Sequence, residues 1–245
     1  MNENRPLQFR YVDLIIALFV AILITSNIAS SAKIVTLNFS VFGIRPAFDG
    51  GTLLFPLAYV IGDLLTEVYG FRIARRAIWT GFIVLSVSAL FFFILRVLPG
   101  EGTWEAYAGT AAYEAILGGM STGGIVIASL SGYLVGEFFN SIIHSRMKVL
   151  MKGRFLWVRT IGSSIAGEFL DSFVFVGLAS LTGVFPWQLF TTLVLTNYII
   201  KLSVEVLVTP LSYLSVWLLK KAEGSEQVPL DVYDTDIKYN PFKFS

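Results

Sequence analysis

The sequence predicts an all-α, polytopic membrane protein with six transmembrane helices. Its 245 residues are 55% hydrophobic and 14% charged, and the mean hydropathy is +0.72, which is too apolar for an ordinary soluble domain of this length. Six apolar stretches are long enough to cross ~30 Å of hydrocarbon at about 1.5 Å per residue. These stretches are residues 11–32, 51–70, 77–98, 122–144, 160–183 and 188–219.

The first apolar stretch has two interpretations. Its end, residues 29–32, reads Ala-Ser-Ser-Ala and resembles a signal-peptide cleavage site. The apolar run is longer than the core of a usual signal peptide, which favours a retained helix.

Small residues recur every four positions along two of the predicted helices. Such stripes let helix backbones approach closely, so we expect helix packing there, and a homodimer interface is the alternative. The stripes are Ala17, Ala21, Thr25 and Ala29 in the first helix, and Ala128, Gly132, Gly136 and Asn140 in the fourth.

Two segments between the helices carry local patterns. Residues 35–41 alternate apolar and polar side chains before Gly43 and Pro46, which predicts a short outer β-hairpin or lid. Residues 104–119 are aromatic and acidic, as is typical of an element at the membrane interface.

The positive charges predict the orientation, because Lys and Arg in short loops are retained on the cytoplasmic side. This places both termini in the cytoplasm, and since topology accounts for the basic residues, the net charge of +1 argues against a nucleic-acid partner. The inner set is Arg5, Arg10, Arg72, Arg75, Arg76, Arg146, Lys148, Lys152, Arg154, Arg159, Lys220, Lys221, Lys238 and Lys243, and the outer set is Lys33, Arg45 and Arg96.

We expect two regions along the chain: a transmembrane domain over residues 1–222 and a polar cytoplasmic tail over residues 223–245. The chain has no cysteine, so disulfides and thiolate metal sites are not available. No metal or cofactor is predicted.

Ionisable and amide side chains inside the apolar segments are the main chemical feature. Each ionisable group costs roughly 2.5–3.5 kcal/mol to place in hydrocarbon on insertion scales, so it normally faces a cavity, a partner or a pathway. We therefore predict a polar substrate site between the helices, formed by Asn27, Asp63, Glu67, Glu137, Asn140, Glu168, Asp171, Asn197, Lys201 and Glu205.

Helical spacing predicts which of these groups share a face. Asp63 and Glu67 are four residues apart, and Lys201 and Glu205 have the same spacing, which allows an internal ion pair. We expect Asp171, Lys201 and Glu205 near the midplane. Six acids against one lysine must be protonated, paired with inner-loop arginines or matched to a donor-rich substrate.

Glu67 and His144 also have structural interpretations. Glu67 can pair with Arg72 or Arg75 at the cytoplasmic edge instead of binding a substrate. His144 is expected to be an interfacial residue at the inner membrane edge.

Two hexamers resemble each other: Gly136 begins Gly-Glu-Phe-Phe-Asn-Ser, and Gly167 begins Gly-Glu-Phe-Leu-Asp-Ser. They lie on neighbouring predicted helices of opposite direction. If they are related, the internal symmetry is inverted, as in many transporters with a site at the midplane.

Over residues 20–215 the chain resembles the queuosine precursor transporter family, also called vitamin uptake transporter-like. Besides the two hexamers and Arg75, the resemblance rests on Asn27-Ile28-Ala29 with Lys33, on Phe55-Pro56 and Gly62-Asp63-Leu64-Leu65-Thr66-Glu67-Val68-Tyr69-Gly70, on Arg159-Thr160, and on Asn197-Tyr198-Ile199-Ile200-Lys201 with Thr209-Pro210.

The resemblance implies a six-helix bacterial inner-membrane protein, similar to vitamin-binding substrate subunits, that imports 7-deazaguanine precursors of queuosine (the 7-cyano or the 7-aminomethyl form). A carboxylate can accept from the adjacent N–H donors of a guanine-like edge, and aromatic rings can stack on the base. The family pattern often has Gln at the positions of Glu137 and Glu168 and Asp at that of Asn140, so the preferred precursor stays open.

Two other functions remain open at this point. The chain could be the substrate-binding subunit for another vitamin or nucleobase, working with an ATP-driven module, since it contains no Walker motif of its own. It could also be an intramembrane aspartyl protease using Asp63 and Asp171. This is the weakest hypothesis, because the residues around Asp63 lack a Gly-x-Gly-Asp pattern.

Overall fold

The computed structural model describes residues 9–36, 47–223 and 239–242. Within these ranges the chain forms eight α-helices, two short strands and two 3-10 turns at Gly50–Leu53 and Trp187–Leu189. The helices are α1 Val12–Ala32, α2 Phe55–Tyr69, α3 Phe71–Val97, α4 Gly102–Tyr107, α5 Gly109–Ser121, α6 Gly123–Leu150, α7 Leu156–Leu181 and α8 Phe190–Glu223.

Five of the described helices are long and apolar enough to cross a membrane: α1, α3, α6, α7 and α8. The chain is therefore a multi-pass membrane protein. The predicted count of six spans is not confirmed, because the stretch 51–70 forms a shorter helix, α2, of 15 residues. Nearly every residue of α2 is buried against other helices, so protein rather than lipid surrounds it.

The ends of α2 follow from its sequence. Pro56 stands in its first turn, where a missing N–H removes no helical hydrogen bond. Gly70 ends the helix with φ = +82°, a conformation that side-chain-bearing residues rarely adopt, and α3 begins at the next residue. The α2–α3 corner is consequently tight and brings the two helices together.

The segment between α1 and α2 contains two three-residue strands. β1, Ile34–Thr36, pairs antiparallel with β2, Ala47–Asp49, with Val35 opposite Phe48. Residues 37–46, which hold most of the predicted hairpin, lie outside the described part of the chain. The aromatic and acidic segment 104–119 falls on α4 and α5.

The apolar core lies between α1, α2, α3 and α6 and is centred on large buried side chains such as Phe19, Leu23, Leu65 and Phe71. The opposite face of α3 is exposed and apolar, with Val87, Leu90 and Phe91 more than half exposed. An outward apolar surface on a membrane helix is the surface that contacts lipid.

The α6–α7 pair is built on the two hexamer glycines. A Cβ on Gly136 would lie 3.0 Å from the Gly167 carbonyl oxygen, and a Cβ on Gly167 would lie 3.0 Å from the Gly136 carbonyl oxygen. The same substitutions would meet Asp171 Cβ at 2.6 Å and Asn140 Cβ at 2.7 Å, respectively. The two motifs thus contact each other reciprocally, with each glycine next to the fifth residue of the other hexamer.

The two small-residue stripes have different surroundings. The α6 stripe packs against α7 within the same chain. On α1, the side chains of Ala17, Ala21 and Thr25 are exposed. The packing interpretation therefore accounts for α6, and the dimer interpretation of α1 stays a prediction.

The last turn of α8 and part of the segment after it contact the helix bundle. Glu223 accepts hydrogen bonds from the backbone N–H groups of Arg10 and Tyr11 (2.8 and 2.9 Å) and from the Tyr69 hydroxyl (2.6 Å). Residues 239–242 lie against α3, where the Trp79 indole donates to the Pro241 carbonyl (2.7 Å). Residues 224–238 and 243–245 lie outside the described ranges, and the division at residue 222 stays a prediction.

Candidate functional site

A cavity of about 460 Å³ lies between α1, α3, α5, α6, α7 and α8. Its size is in the range of small-molecule sites, which are mostly apolar with a few placed polar groups. The polar lining includes Asn27, Ser129, Tyr133, Asp171, Asn197 and Lys201, and the aromatic lining includes Phe48, Phe55, Phe175 and Phe185.

An ion pair lines this cavity. Lys201 Nζ lies 2.5 Å from Asp171 Oδ2, and the ammonium also sits over the Phe55 ring, 5.0 Å from its centroid. The expected pairing of Lys201 with Glu205 is wrong. α7 brings Asp171 to the lysine from a neighbouring helix, whereas the Glu205 side chain turns to Ser164.

Asn27 joins two helices beside the cavity. Its amide nitrogen donates to the Leu23 carbonyl of its own helix (2.9 Å), and its amide oxygen accepts from the Ser129 hydroxyl (2.8 Å). Asn197 is 8% exposed and lines the cavity from α8. Each amide is placed where a polar group of a ligand in the cavity could reach it.

Three glutamates from three helices lie in the buried region next to the Asp171–Lys201 pair. They are Glu137 of α6, Glu168 of α7 and Glu205 of α8. Each is at most 1% exposed. Glu205 accepts a short hydrogen bond from Ser164. Among the described residues, neither oxygen of Glu137 or of Glu168 has a hydrogen-bond partner.

A series of polar contacts continues from Glu205 toward the ends of α6 and α8. The Ser164 hydroxyl also lies 3.4 Å from the Asn140 amide oxygen, and the Asn140 amide nitrogen donates to Asp63 Oδ1 (2.9 Å). His144 then bridges Asp63 and Glu67, with its two ring nitrogens 3.2 and 3.4 Å from their carboxyl oxygens.

The series ends in an ion cluster around Glu67. Arg159 places Nη2 and Nε 2.8 and 3.0 Å from Glu67 Oε2, and Lys220 Nζ lies 2.9 Å from Oε1. Lys148 donates to the Glu67 backbone carbonyl (2.7 Å). The cluster joins α2, α6, α7 and α8. The expected partners Arg72 and Arg75 are wrong: the Arg75 guanidinium donates to the Asn240 carbonyl instead.

The structure thus divides the ten predicted site residues into two groups. Asn27, Asp171, Asn197 and Lys201 line the cavity, and the other six, Asp63, Glu67, Glu137, Asn140, Glu168 and Glu205, lie in the buried polar region that follows it.

Four residues of this region were not among the predicted site residues: His144, Lys148, Arg159 and Lys220. His144 is fully buried between Asp63 and Glu67, so it belongs to this polar region, and its position at the inner membrane edge stays a prediction. A helical repeat could have found two of them, because Asn140, His144 and Lys148 continue the α6 stripe at four-residue spacing.

Two other chemistries find no support in the geometry. Asp63 and Asp171 are held by different partners, Asn140 and Lys201, rather than paired as an aspartyl dyad. Within the described ranges, no group of three or more His, Cys, Asp or Glu side chains is arranged to hold a metal ion.

Comparison with known proteins gives one family match. A family model described as "Putative vitamin uptake transporter" matches residues 49–215. That range contains α2, α3, α6, α7 and most of α8, and it leaves out α1. No solved structure matches the chain.

Three curated proteins are similar to most of the chain. A "Probable queuosine precursor transporter" of Bacillus subtilis (strain 168) is 27% identical over 176 residues, which cover 71% of this chain and 74% of that protein. A protein of the same name from Haemophilus influenzae (strain ATCC 51907 / DSM 11121 / KW20 / Rd) is 25% identical over 71% of this chain and 72% of its own length. The "Queuosine precursor transporter" of Escherichia coli (strain K12) is 24% identical over 62% and 63%.

Proposed function

Since this chain belongs to the vitamin uptake transporter family, we propose that it imports 7-deazaguanine precursors of queuosine across the bacterial inner membrane. The main observation that supports this proposal is the cavity lined by the Asp171–Lys201 pair. A buried polar region follows this cavity and reaches the Glu67 ion cluster. The names of the three similar proteins support the substrate class.

The cavity and the buried polar region together form the substrate path in this proposal. The distribution of Lys and Arg predicts how this path is oriented in the membrane. The basic residues of the Glu67 cluster lie toward the end of the bundle where most Lys and Arg are found, and that end is cytoplasmic by the positive-inside rule. The cavity then opens on the outer side. Both chain termini lie on the cytoplasmic side in this arrangement.

The cavity contains hydrogen-bond donors, acceptors and aromatic rings that suit a guanine-like base. The Asp171 carboxylate can accept from adjacent N–H donors, and Lys201 or Asn197 can donate to a ring carbonyl. Phe55 and Phe175 provide flat apolar surfaces for the base. Binding of this kind rejects analogues that leave a buried polar group unpaired.

The other six predicted residues form the remainder of the path in this proposal. Glu137, Glu168 and Glu205 follow the cavity, Asn140 and Asp63 come next, and Glu67 closes the cytoplasmic end with its ion cluster. The substrate reaches the cytoplasm when that cluster opens.

Ligand stabilisation of the purified protein tests this function. We expect 7-cyano- and 7-aminomethyl-7-deazaguanine, but not riboflavin, thiamine or biotin, to raise the melting temperature. A ligand that binds only the folded state adds about 2.7 kcal/mol at a hundredfold excess over Kd.

The variant Asp171→Asn should lose this stabilisation, because its side chain can no longer present two acceptor oxygens. Glu114→Gln is the matched control, since Glu114 lies in the middle of α5, forms an exposed pair with Arg96 and does not line the cavity. Stabilisation by a vitamin instead, or by no compound of the panel, would contradict the proposed substrate.

A second candidate function is that of a substrate-binding subunit, which uses the same cavity but works together with a partner protein. The small-residue stripe of α1 is exposed, and a helix face of this kind suits close packing against another membrane helix. In this second candidate function an ATP-driven module packs against the α1 stripe. The alternative partner is a second copy of the chain. Uptake by the purified chain alone in liposomes would exclude a strict need for the module, and its mass in detergent distinguishes monomer from homodimer.

A further inference from the structure

The buried glutamates next to the Asp171–Lys201 pair are not explained by substrate recognition in the cavity. Glu137 and Glu168 are at most 1% exposed and do not line the cavity. In the described part of the chain their four carboxyl oxygens have no donor. An ionised carboxylate in such a place is strongly disfavoured, because it loses its hydration and gains no compensating hydrogen bond.

A buried hydroxyl group near the glutamates is also unbonded in the described part of the chain. The Tyr59 hydroxyl, on a side chain 2% exposed, has no hydrogen-bond partner among the described residues and interacts electrostatically with Glu137, Glu168, Glu205 and Asp171. Its position is close to the α6–α7 crossing, 2.5 Å from where a Cβ on Gly136 would lie. A buried donor beside acceptors that it does not bond is a place where a small ligand can complete the network.

Two of the carboxyl groups also face each other. Glu168 and Glu205 are close enough for a side-chain interaction, although their geometry is not that of an ordinary hydrogen bond. Ionised carboxylates are acceptors only, so two of them can bond each other only when one carries a proton.

The charges that surround the glutamates are mostly negative. Glu137 interacts with Asp63 from α2, with Glu168 and Asp171 from α7, and with Lys201 from α8. Glu205 interacts with Asp63 and Glu168. Among these groups Lys201 is the one cation, and it is engaged with Asp171. The described residues contain no group of side chains arranged to bind a metal cation. A proton, by contrast, needs only a carboxyl oxygen to bind to.

We propose that Glu137, Glu168 and Glu205 form a proton-binding site and that protons move through the protein together with the substrate. This inference rests on the proposed transport function. Protons enter from the outer cavity side and neutralise the glutamates while the substrate is enclosed.

The cytoplasmic ion cluster gives this coupling its direction. Arg159 and Lys220 are held by Glu67 in the present structure. When the cluster opens to release the substrate, the glutamates become accessible to the cytoplasm, and their protons leave on that side.

The test uses the purified full chain in liposomes that enclose a pH-sensitive dye, with the membrane potential clamped. Exchange of labelled against unlabelled 7-deazaguanine at equal pH measures transport alone. A difference of one pH unit, acid outside, should then drive accumulation of about tenfold if one proton accompanies each substrate. Substrate added outside should also acidify the lumen.

Glu137→Gln and Glu168→Gln keep the shape of the side chain and remove a proton-binding oxygen. We expect both to lose gradient-driven accumulation and lumen acidification. Glu114→Gln makes the same chemical change at the exposed pair with Arg96 and should behave as the native protein. Infrared absorption of protonated carboxyl groups in the purified, substrate-free protein gives a second measurement, and the band should decrease in both site variants.

The outcomes separate the two proposals. Native protein that shows no exchange at equal pH overturns the transport function, and the proton site falls with it. Exchange without any effect of the gradient and without lumen acidification overturns the proton site alone. Full coupling retained in both Gln variants overturns the assignment to these glutamates. If a variant loses transport altogether, the infrared band decides: a reduced band supports the site and an unchanged band overturns it.

Discussion

Glu67 and Asp171 are buried acids that pair with cations, whereas Glu137 is a buried acid with no ion pair among the described residues. Glu67 faces Arg159 and Lys220, and Asp171 faces Lys201. These partners come from other helices, so the acids connect elements as well as carrying charge. The role proposed for each acid, in substrate binding, proton binding or closure, follows from its partner.

Removing Glu67 should strongly destabilise the protein. Glu67→Ala leaves Arg159, which is 1% exposed, without its carboxylate, and breaking a buried ion pair typically costs about 3–5 kcal/mol. Thermal or denaturant unfolding in detergent measures the loss. Glu114→Ala, at the exposed pair with Arg96, should cost less than about 1 kcal/mol. Similar losses in the two variants would contradict a structural role for the Glu67 cluster.

At the scale of elements, the α6–α7 pair organises the site. The two helices approach closely where Gly136 and Gly167 face each other, and Asn140 and Asp171 lie directly beside this contact. Larger residues at the two glycines would separate the helices. The hexamers are therefore packing motifs that also position the polar groups.

Gly136→Ala should destabilise the protein and weaken ligand binding. The added Cβ would lie 2.6 Å from Asp171 Cβ, and overpacking of this kind typically costs about 1–3 kcal/mol. Unfolding of the purified protein and ligand-induced stabilisation are the measurements. Gly177→Ala on α7 is the control: its Cβ would meet only Phe190, at 3.8 Å, so helix propensity makes it neutral or slightly stabilising. Equal effects at the two positions would show that the close approach at Gly136 is not required.

At the scale of the whole molecule, polar and apolar layers are separated. The apolar core fills the space between α1, α2, α3 and α6, and the buried polar region occupies the space between α2, α6, α7 and α8. The short helix α2 belongs to both, with Leu65 on one side and Asp63 on the other. Because α2 is surrounded by other helices, its two acids contact protein groups and its 15 residues do not have to span the hydrocarbon alone.

The absence of cysteine from the sequence allows a direct test of orientation. Tyr107→Cys, at a position 92% exposed after α3, should react with a membrane-impermeant thiol reagent added to intact cells. Lys152→Cys, in the α6–α7 turn, should react only after permeabilisation. The opposite pattern would reverse the predicted topology and place the cavity on the cytoplasmic side.

Much of the fold could be predicted from composition and spacing. Five long apolar segments appear as long helices close to the expected positions, because hydrocarbon forces backbone groups to satisfy each other within the segment. The second stretch differed in length, since burial by other helices was not visible from its own residues. Residues 37–46 of the expected hairpin remain outside the described ranges.

The sequence by itself determined that the chain crosses a membrane, which polar residues lie within its apolar segments, and which family it resembles. These properties are local, since each depends on a few consecutive residues or on residues one helical turn apart. Only the tertiary structure decided that Lys201 pairs with Asp171 rather than Glu205, that His144 is buried, and that Glu67 binds Arg159. The physical reason is that a buried charge takes its partner from whichever neighbouring helix presents one, and helix neighbours are set by packing across the whole bundle.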